Sequence, residues 1–284
     1  MTIATAESLM NGANEARQSL LAFNAVTLEH AEAVVEAAEL SRCPVILAVS
    51  SNAVRFHGRL GPFADACHRL AHECNQPVAL HLDHIENLEL VRMAAPAGFS
   101  SVMFDASQLS YHENCVLTSE AARLAHADGL WVESELGEVG GKDGRHSATA
   151  RTDPNEAVRF VARTGIDALA VAVGTSHAMA ERTARVDVDL IERLRNKVRV
   201  PLVLHGSSGL ADESLGAAAR AGIVKINVGT RLNVAWSSAV RARVNSDTSV
   251  DPRPVLADAR VAMVDAMITI LRTLGNQYWK GRPS

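Results

Sequence analysis

The sequence predicts an α/β protein: a single (β/α)8 TIM barrel with an additional C-terminal helix. Three observations carry that expectation. Eight short apolar, β-branched runs recur along the 284 residues, each separated from the next by helix-like sequence, in units of about thirty residues. The runs are continuously apolar instead of alternating, as parallel strands covered on both faces must be. The nucleotide-binding versions of the open doubly wound sheet lack their signatures, since no GxGxxG follows the first run and no GxxxxGK[ST] occurs anywhere.

In order, the runs are LLAFNAV, PVILAV, PVALHL, SSVMF, LWVESEL, ALAVAV, PLVLHG and IVKINV. The first leads into a helix whose apolar stripe is Leu28, Ala31, Val34, Val35 and Ala38. Before the sixth, Asp153, Pro154 and Glu156 supply an N-cap, a first-turn proline and a third-position acid for another helix. Ala97-Gly98, Asp128-Gly129, Thr164-Gly165 and Ala221-Gly222 each fall just before an apolar run, where glycine closes a helix in the left-handed conformation. After Asp251-Pro252 the stretch VLADARVAMVDAMITILRTL reads as an extra helix over about 251–275, beyond a barrel of about 20–247. Residues 1–284 thus read as one domain, and the terminal amphipathic helix suggests a homodimer or homotetramer.

Composition narrows the function classes. Apolar residues are 48% and charged residues 21%, enough to bury a large core. Lys plus Arg number 28 against 32 Asp plus Glu, so there is no basic excess to neutralise phosphates, and no nucleic-acid partner is expected. The first twenty residues lack the basic start and apolar block of a secretory signal, and no run of about eighteen apolar residues occurs. The expectation is no membrane association and a cytoplasmic location. Cys43, Cys67, Cys74 and Cys115 form no CxxC pair and read as reduced core thiols.

A parallel barrel carries its chemistry at the carboxyl ends of its strands. His84, His177 and His205 stand there, after the third, sixth and seventh runs, and imidazoles converging on one mouth with an open position are what a catalytic Zn²⁺ requires. Asp83, beside His84, is either a proton-transfer group or the cap of a helix beginning at ENLELV. Glu133 and Glu135 share one side of the fifth strand, so at least one faces the interior, as a functional group or in a salt bridge. His81 reads as a supporting or core group, and His68, His72 and His126 as helix-surface residues. GGKDGRHSATA looks like a loop able to close over a site. HGSSG (205–209) and NVGT (227–230), in consecutive strand-end loops, match the phosphate site that barrels build after strands seven and eight.

The blocks HLDH, ESELGEVGG, TDPNEAVRFVARTGIDALAVAVGTSH, PLVLHGSSG and KINVGT, preceded by AFNAVTLEHAEAVVEAAEL, resemble in sequence and order those of the class II fructose-bisphosphate and tagatose-bisphosphate aldolases. That resemblance implies His84, His177 and His205 as Zn²⁺ ligands, Glu135 as the carboxylate near the metal, and Asp83 as the acid/base at the C4 hydroxyl of the ketose. Gly206, Ser208, Asn227 and Thr230, with Ser207, Val228 and Gly229 in the same turns, would hold dihydroxyacetone phosphate. A monovalent cation, Na⁺ or K⁺, often binds close by in this family. Asn24 and Ser50 would also contact the phosphorylated sugar. Two substitutions depart from the pattern. Ala178 replaces a glycine in the phosphate-contacting stretch, and Asp143 stands where a loop glutamate abstracts the dihydroxyacetone phosphate proton, one methylene shorter. A barrel metallohydrolase and a non-catalytic regulatory barrel are the rival readings. The paired phosphate cradle speaks against the first, and retention of Asp83 with all three histidines against the second.

Overall fold

The eight apolar runs form eight parallel strands that close on themselves in sequence order: β1 (Leu20–Ala25), β2 (Val45–Ser50), β3 (Val78–Ile85), β4 (Ser101–Phe104), β5 (Trp131–Leu136), β6 (Ala168–Val171), β7 (Leu202–Leu204) and β8 (Ile223–Val228). β8 pairs back on β1, with Leu20 beside Lys225 and Ala22 beside Asn227. The computed structural model describes residues 3–137, 151–175, 184–246 and 248–274.

Helices follow the strands: α2 (Leu28–Ser41), the pair α3 (Ser51–His57) and α4 (Gly61–Glu73), α5 (Leu88–Ala94), α6 (Tyr111–Ala127), α7 (Pro154–Thr164), α8 (Val188–Lys197), α9 (Asp212–Ala221) and α10 (Thr230–Ser246). The start of α7 is the one anticipated: Asp153 Oδ1 accepts from the backbone N–H groups of Asn155 and Glu156, with Pro154 in the first turn. Gly222 ends α9 at φ 126°, where a Cβ would also stand 2.3 Å from Arg195 Cδ, so only glycine fits. The C-terminal helix α11 (Arg253–Thr273) buries Met263, Met267, Ile270 and Leu271 and packs on α2 and α10 of its own chain. All four cysteines are buried and outside any disulfide.

Two apolar layers result. One fills the space between strands and helices, and the other fills the barrel itself. Inside, Leu20, Ala22, Ile46, Ala79, Met103, Trp131 and Val203 pack against Leu9 and Met10 of α1 (Ala6–Ala16), a helix outside the sequence expectation. Thr5 caps α1 by accepting from Ser8 N–H, and its buried face stoppers the amino-terminal end of the barrel. Burying Leu9 and Met10 contributes about 1.5–3 kcal/mol each, and it leaves the opposite end as the open one.

Candidate active site

At the open end lies a cavity of about 350 Å³, lined among others by Asn24, Ser50, Asp83, His84, His205, Gly206, Ser207, Ser208, Asn227, Gly229 and Thr230. Period-two alternation would send the adjacent Asp83 and His84 to opposite faces of β3. They reach the same cavity because the β3–β4 register shifts between Leu82 and Ile85, and His84 there takes φ 52°. The extra residue turns both side chains to the mouth. Asp83 does not cap a helix: β3 runs on to Ile85, and Asn87 caps α5 by accepting from Leu90 N–H.

Asp83 is 1% exposed and held by amides. Asn24 Nδ2 donates to Oδ2 at 2.8 Å, and Asn227 Nδ2 lies 3.3 Å from Oδ1. Burial opposes its ionisation, but His84, a hydrogen bond from His81, His205 and Lys225 outweigh that and hold its carboxyl well below the usual carboxylate range. It stands as a carboxylate able to accept a proton.

The two histidines are fixed from behind by carboxylates. His84 Nδ1 donates to Asp105 Oδ2 at 2.8 Å, while Asp105 Oδ1 accepts from Ser107 Oγ at 2.7 Å. His205 Nε2 donates to Glu133 Oε1 at 2.8 Å. These bonds occupy one nitrogen of each ring and turn His84 Nε2 and His205 Nδ1 toward each other, 3.2 Å apart. Two nitrogens on one tetrahedral Zn²⁺, each at about 2.0–2.1 Å, stand about 3.3 Å apart. The donor pair therefore fits such an ion, and ligand atoms of Asp83, His84 and His205 lie within 4.8 Å of one another. A second such group is His84, Asp105 and Glu135, so Glu135, fully buried on β5, sits beside the same histidine.

Below the histidines, Glu133 Oε2 accepts from the Lys225 ammonium at 2.6 Å, both groups fully buried. Burial alone would raise the Glu133 carboxyl, but Lys225 and His205 bring it down to about 2. His81 Nε2 lies 3.4 Å from Lys225 Nζ and its Nδ1 meets Ser101 Oγ at 2.8 Å. Burial and the Lys225 charge lower its pKa, which keeps the ring neutral.

Another part of the cavity wall is built from backbone. Gly206 takes φ 66° and opens a short 3-10 turn over Ser207–Gly209, while Gly229 leads directly into the N-terminus of α10 at Thr230. Helix N-termini and such turns aim N–H groups at an anion. Ser207 Oγ donates to the carbonyl of Asn227, tying the two turns together. Asn227 Oδ1 is buried and meets no hydrogen-bonding partner among the described residues, ready for a ligand donor. Val228 does not line the cavity; its side chain belongs to the apolar layer around the barrel. Asp143, His177 and Ala178 lie outside the described residues.

Sequence reasoning missed Asp105, Lys225, Asn52 and Phe56. Asp105 carried the same signal as the histidines, a polar residue directly after an apolar run. Lys225 was a lone cation within one, which demands a buried partner. Asn52 and Phe56 lie on α3, whose seven residues give too short a period to detect.

The family model described as Fructose-bisphosphate aldolase class-II matches residues 4–278. The chain is 36% identical over 281 residues to a fructose-bisphosphate aldolase of Geobacillus stearothermophilus, covering 97% of this chain and 98% of that protein. Among solved structures it is similar to the YdjI aldolase of Escherichia coli K12, at TM-score 0.85 and 30% identity, covering 97% of this chain and 98% of that one. It is also similar to a putative fructose-1,6-biphosphate aldolase of Coccidioides immitis, at TM-score 0.86 and 28% identity, covering 95% and 96%.

Proposed function

Because the chain belongs to the class-II fructose-bisphosphate aldolase family and is a carbon–carbon lyase, we propose that it catalyses zinc-dependent, reversible aldol cleavage of a ketose 1,6-bisphosphate. The substrate is most simply fructose 1,6-bisphosphate, and the products are dihydroxyacetone phosphate and glyceraldehyde 3-phosphate. The observation that supports this best is that Asp83, His84 and His205 share one cavity with two backbone turns suited to a phosphate. His84, His205 and His177 would hold the ion, with Glu135 beside it. Bound there, it supplies a Lewis acid for the negative charge that cleavage leaves on the ketone side.

The chain's own groups do the rest. N–H groups of Gly206–Ser208 and of Gly229–Thr230 hold the C1 phosphate and so fix the reacting carbons. Asn24 and Asn227 aim the Asp83 carboxylate. Asp83 takes the proton of the C4 hydroxyl as the C3–C4 bond breaks, the carbonyl of the aldehyde product forms, and the bonding pair stays with C3. Protonation of C3 by Asp143 completes dihydroxyacetone phosphate, and condensation runs the same transfers backwards. Ser50 faces the departing aldehyde.

The test follows triose phosphate release from fructose 1,6-bisphosphate and, separately, tagatose 1,6-bisphosphate in a coupled assay, with zinc and with chelator. Chelator-sensitive cleavage that zinc restores is expected, and the two rates decide the C4 configuration. Zinc-loaded protein that cleaves neither sugar would overturn the substrate assignment.

A further inference from the structure

A metal-ligating histidine binds well only if the correct ring nitrogen is deprotonated and turned to the ion before the ion arrives. In this chain that choice is made for His205 by two charged side chains with no access to solvent. Glu133 Oε1 takes the Nε2 proton of His205 at 2.8 Å, and Glu133 Oε2 takes a proton of Lys225 at 2.6 Å. Each oxygen of the carboxylate therefore has its own partner, one on β7's carboxyl end and one on β8. The carboxylate cannot rotate without breaking an ion pair in a fully buried environment. His81 Nε2 lies 3.4 Å from Lys225 Nζ.

We infer that Glu133, locked by Lys225, is a positioning residue that fixes the tautomer and strengthens the donor nitrogen of His205. This rests on the metal site proposed above. The pair is costly to bury and, among the described residues, is not part of the lining of the active-site cavity, so its position behind His205 is its evident use. Lys225 lies two residues before Asn227, so one strand carries both the lock and a residue that holds Asp83. A bare hydrogen-bond acceptor would choose the tautomer; the negative charge adds basicity at Nδ1, which a neutral acceptor does not.

The experiment compares the parent with E133Q/K225M. The single variant E133Q leaves a buried ammonium uncompensated, whereas the double variant removes both charges at nearly constant volume. The introduced glutamine amide either accepts through a neutral carbonyl or, flipped, donates its N–H and turns Nδ1–H of His205 toward the ion; both weaken binding. Zinc affinity is read by competition with a chromophoric chelator, and the Co²⁺ absorption spectrum reports the ligand set. Expected is a 10- to 100-fold weaker zinc affinity with an altered Co²⁺ spectrum and an unfolding midpoint of the metal-free protein near that of the parent. An affinity within threefold of the parent overturns the inference while leaving the metal site standing. A parent that binds no zinc overturns both. Should the double variant not fold, ¹⁵N-histidine spectra of the metal-free parent decide, because His205 must carry its proton on Nε2, and finding it on Nδ1 refutes the lock.

Discussion

His84 offers a measurement in which backbone strain separates from side-chain chemistry. It is a bulky residue, unbranched at Cβ, at φ 52°, inside a register shift that delivers two adjacent side chains to one cavity. His84→Ala and His84→Gly remove the same imidazole and the same bond to Asp105, so their difference reads the backbone alone. In an ordinary strand the glycine variant is the less stable by about 0.5–1 kcal/mol, because the unfolded chain is freer. In the left-handed region an L-residue is penalised by about 1–2 kcal/mol, and glycine is not. The second effect outweighs the first, so His84→Gly is expected to be more stable than His84→Ala by about 0.5–1 kcal/mol. For a chain of this size that is about 1–3 °C in thermal midpoint. Both variants are unfolded in chelator at one pH, by heat and by urea, so that metal binding does not enter. An alanine variant as stable as the glycine variant, or more so, would falsify the claim that strain at residue 84 builds the site.

Asp83→Ala is expected to lower turnover by about 10²–10⁴-fold, since a positioned proton-transfer group is lost, while zinc content measured by atomic absorption stays at the parent's level; turnover within a few fold of the parent sinks the assignment. Glu133 gives the acid limb of stability: its folded pKa is about 2 against an ordinary 4.5. A depressed pKa stabilises the fold above pH 4.5 and loses that stabilisation as pH falls from there toward 2, about 3 kcal/mol in all. Urea midpoints between pH 5 and pH 3 should thus fall more steeply for the parent than for E133Q/K225M, and equal slopes contradict it. Gly206→Ala puts a Cβ at φ 66° in the turn proposed to hold the phosphate, so KM for the phosphorylated ketose should rise at least tenfold while zinc affinity holds; an unchanged KM moves the phosphate elsewhere.

Most of the barrel was legible because parallel strands covered on both faces read as apolar runs whatever the rest of the fold does. Helix punctuation was legible where it was local, as at Asp153 and Pro154. What escaped were features set by distant partners or by a break in periodicity. α1 is a short helix whose apolar face has meaning only against the barrel floor, and α3 is two turns long. The motif HLDH named both Asp83 and His84, yet strand alternation denies that neighbours share a face, and only the register shift reconciles them. Lys225 and Glu133 are 92 residues apart in sequence, so nothing local to either announces the pair.

The inward face of the strands also explains why the site is held so tightly. From amino to carboxyl end it passes from Ala22 to Asn24, from Ala79 to His81 and Asp83, from Met103 to Asp105, from Trp131 to Glu133 and Glu135, and from Val203 to His205. The lower half is dry, closed by Leu9 and Met10 of α1. Charges standing on an apolar floor are poorly solvated, so an unpaired one is expensive. Lys225 with Glu133, Glu133 with His205, Asp105 with His84, and Asn24 and Asn227 with Asp83 are the pairings that this demand produces. For the two histidines the pairing with Glu133 or Asp105 occupies one ring nitrogen and leaves the other facing the partner imidazole. Packing of the barrel's closed end and orientation of the groups at its open end are therefore one problem, solved by the same alternating positions.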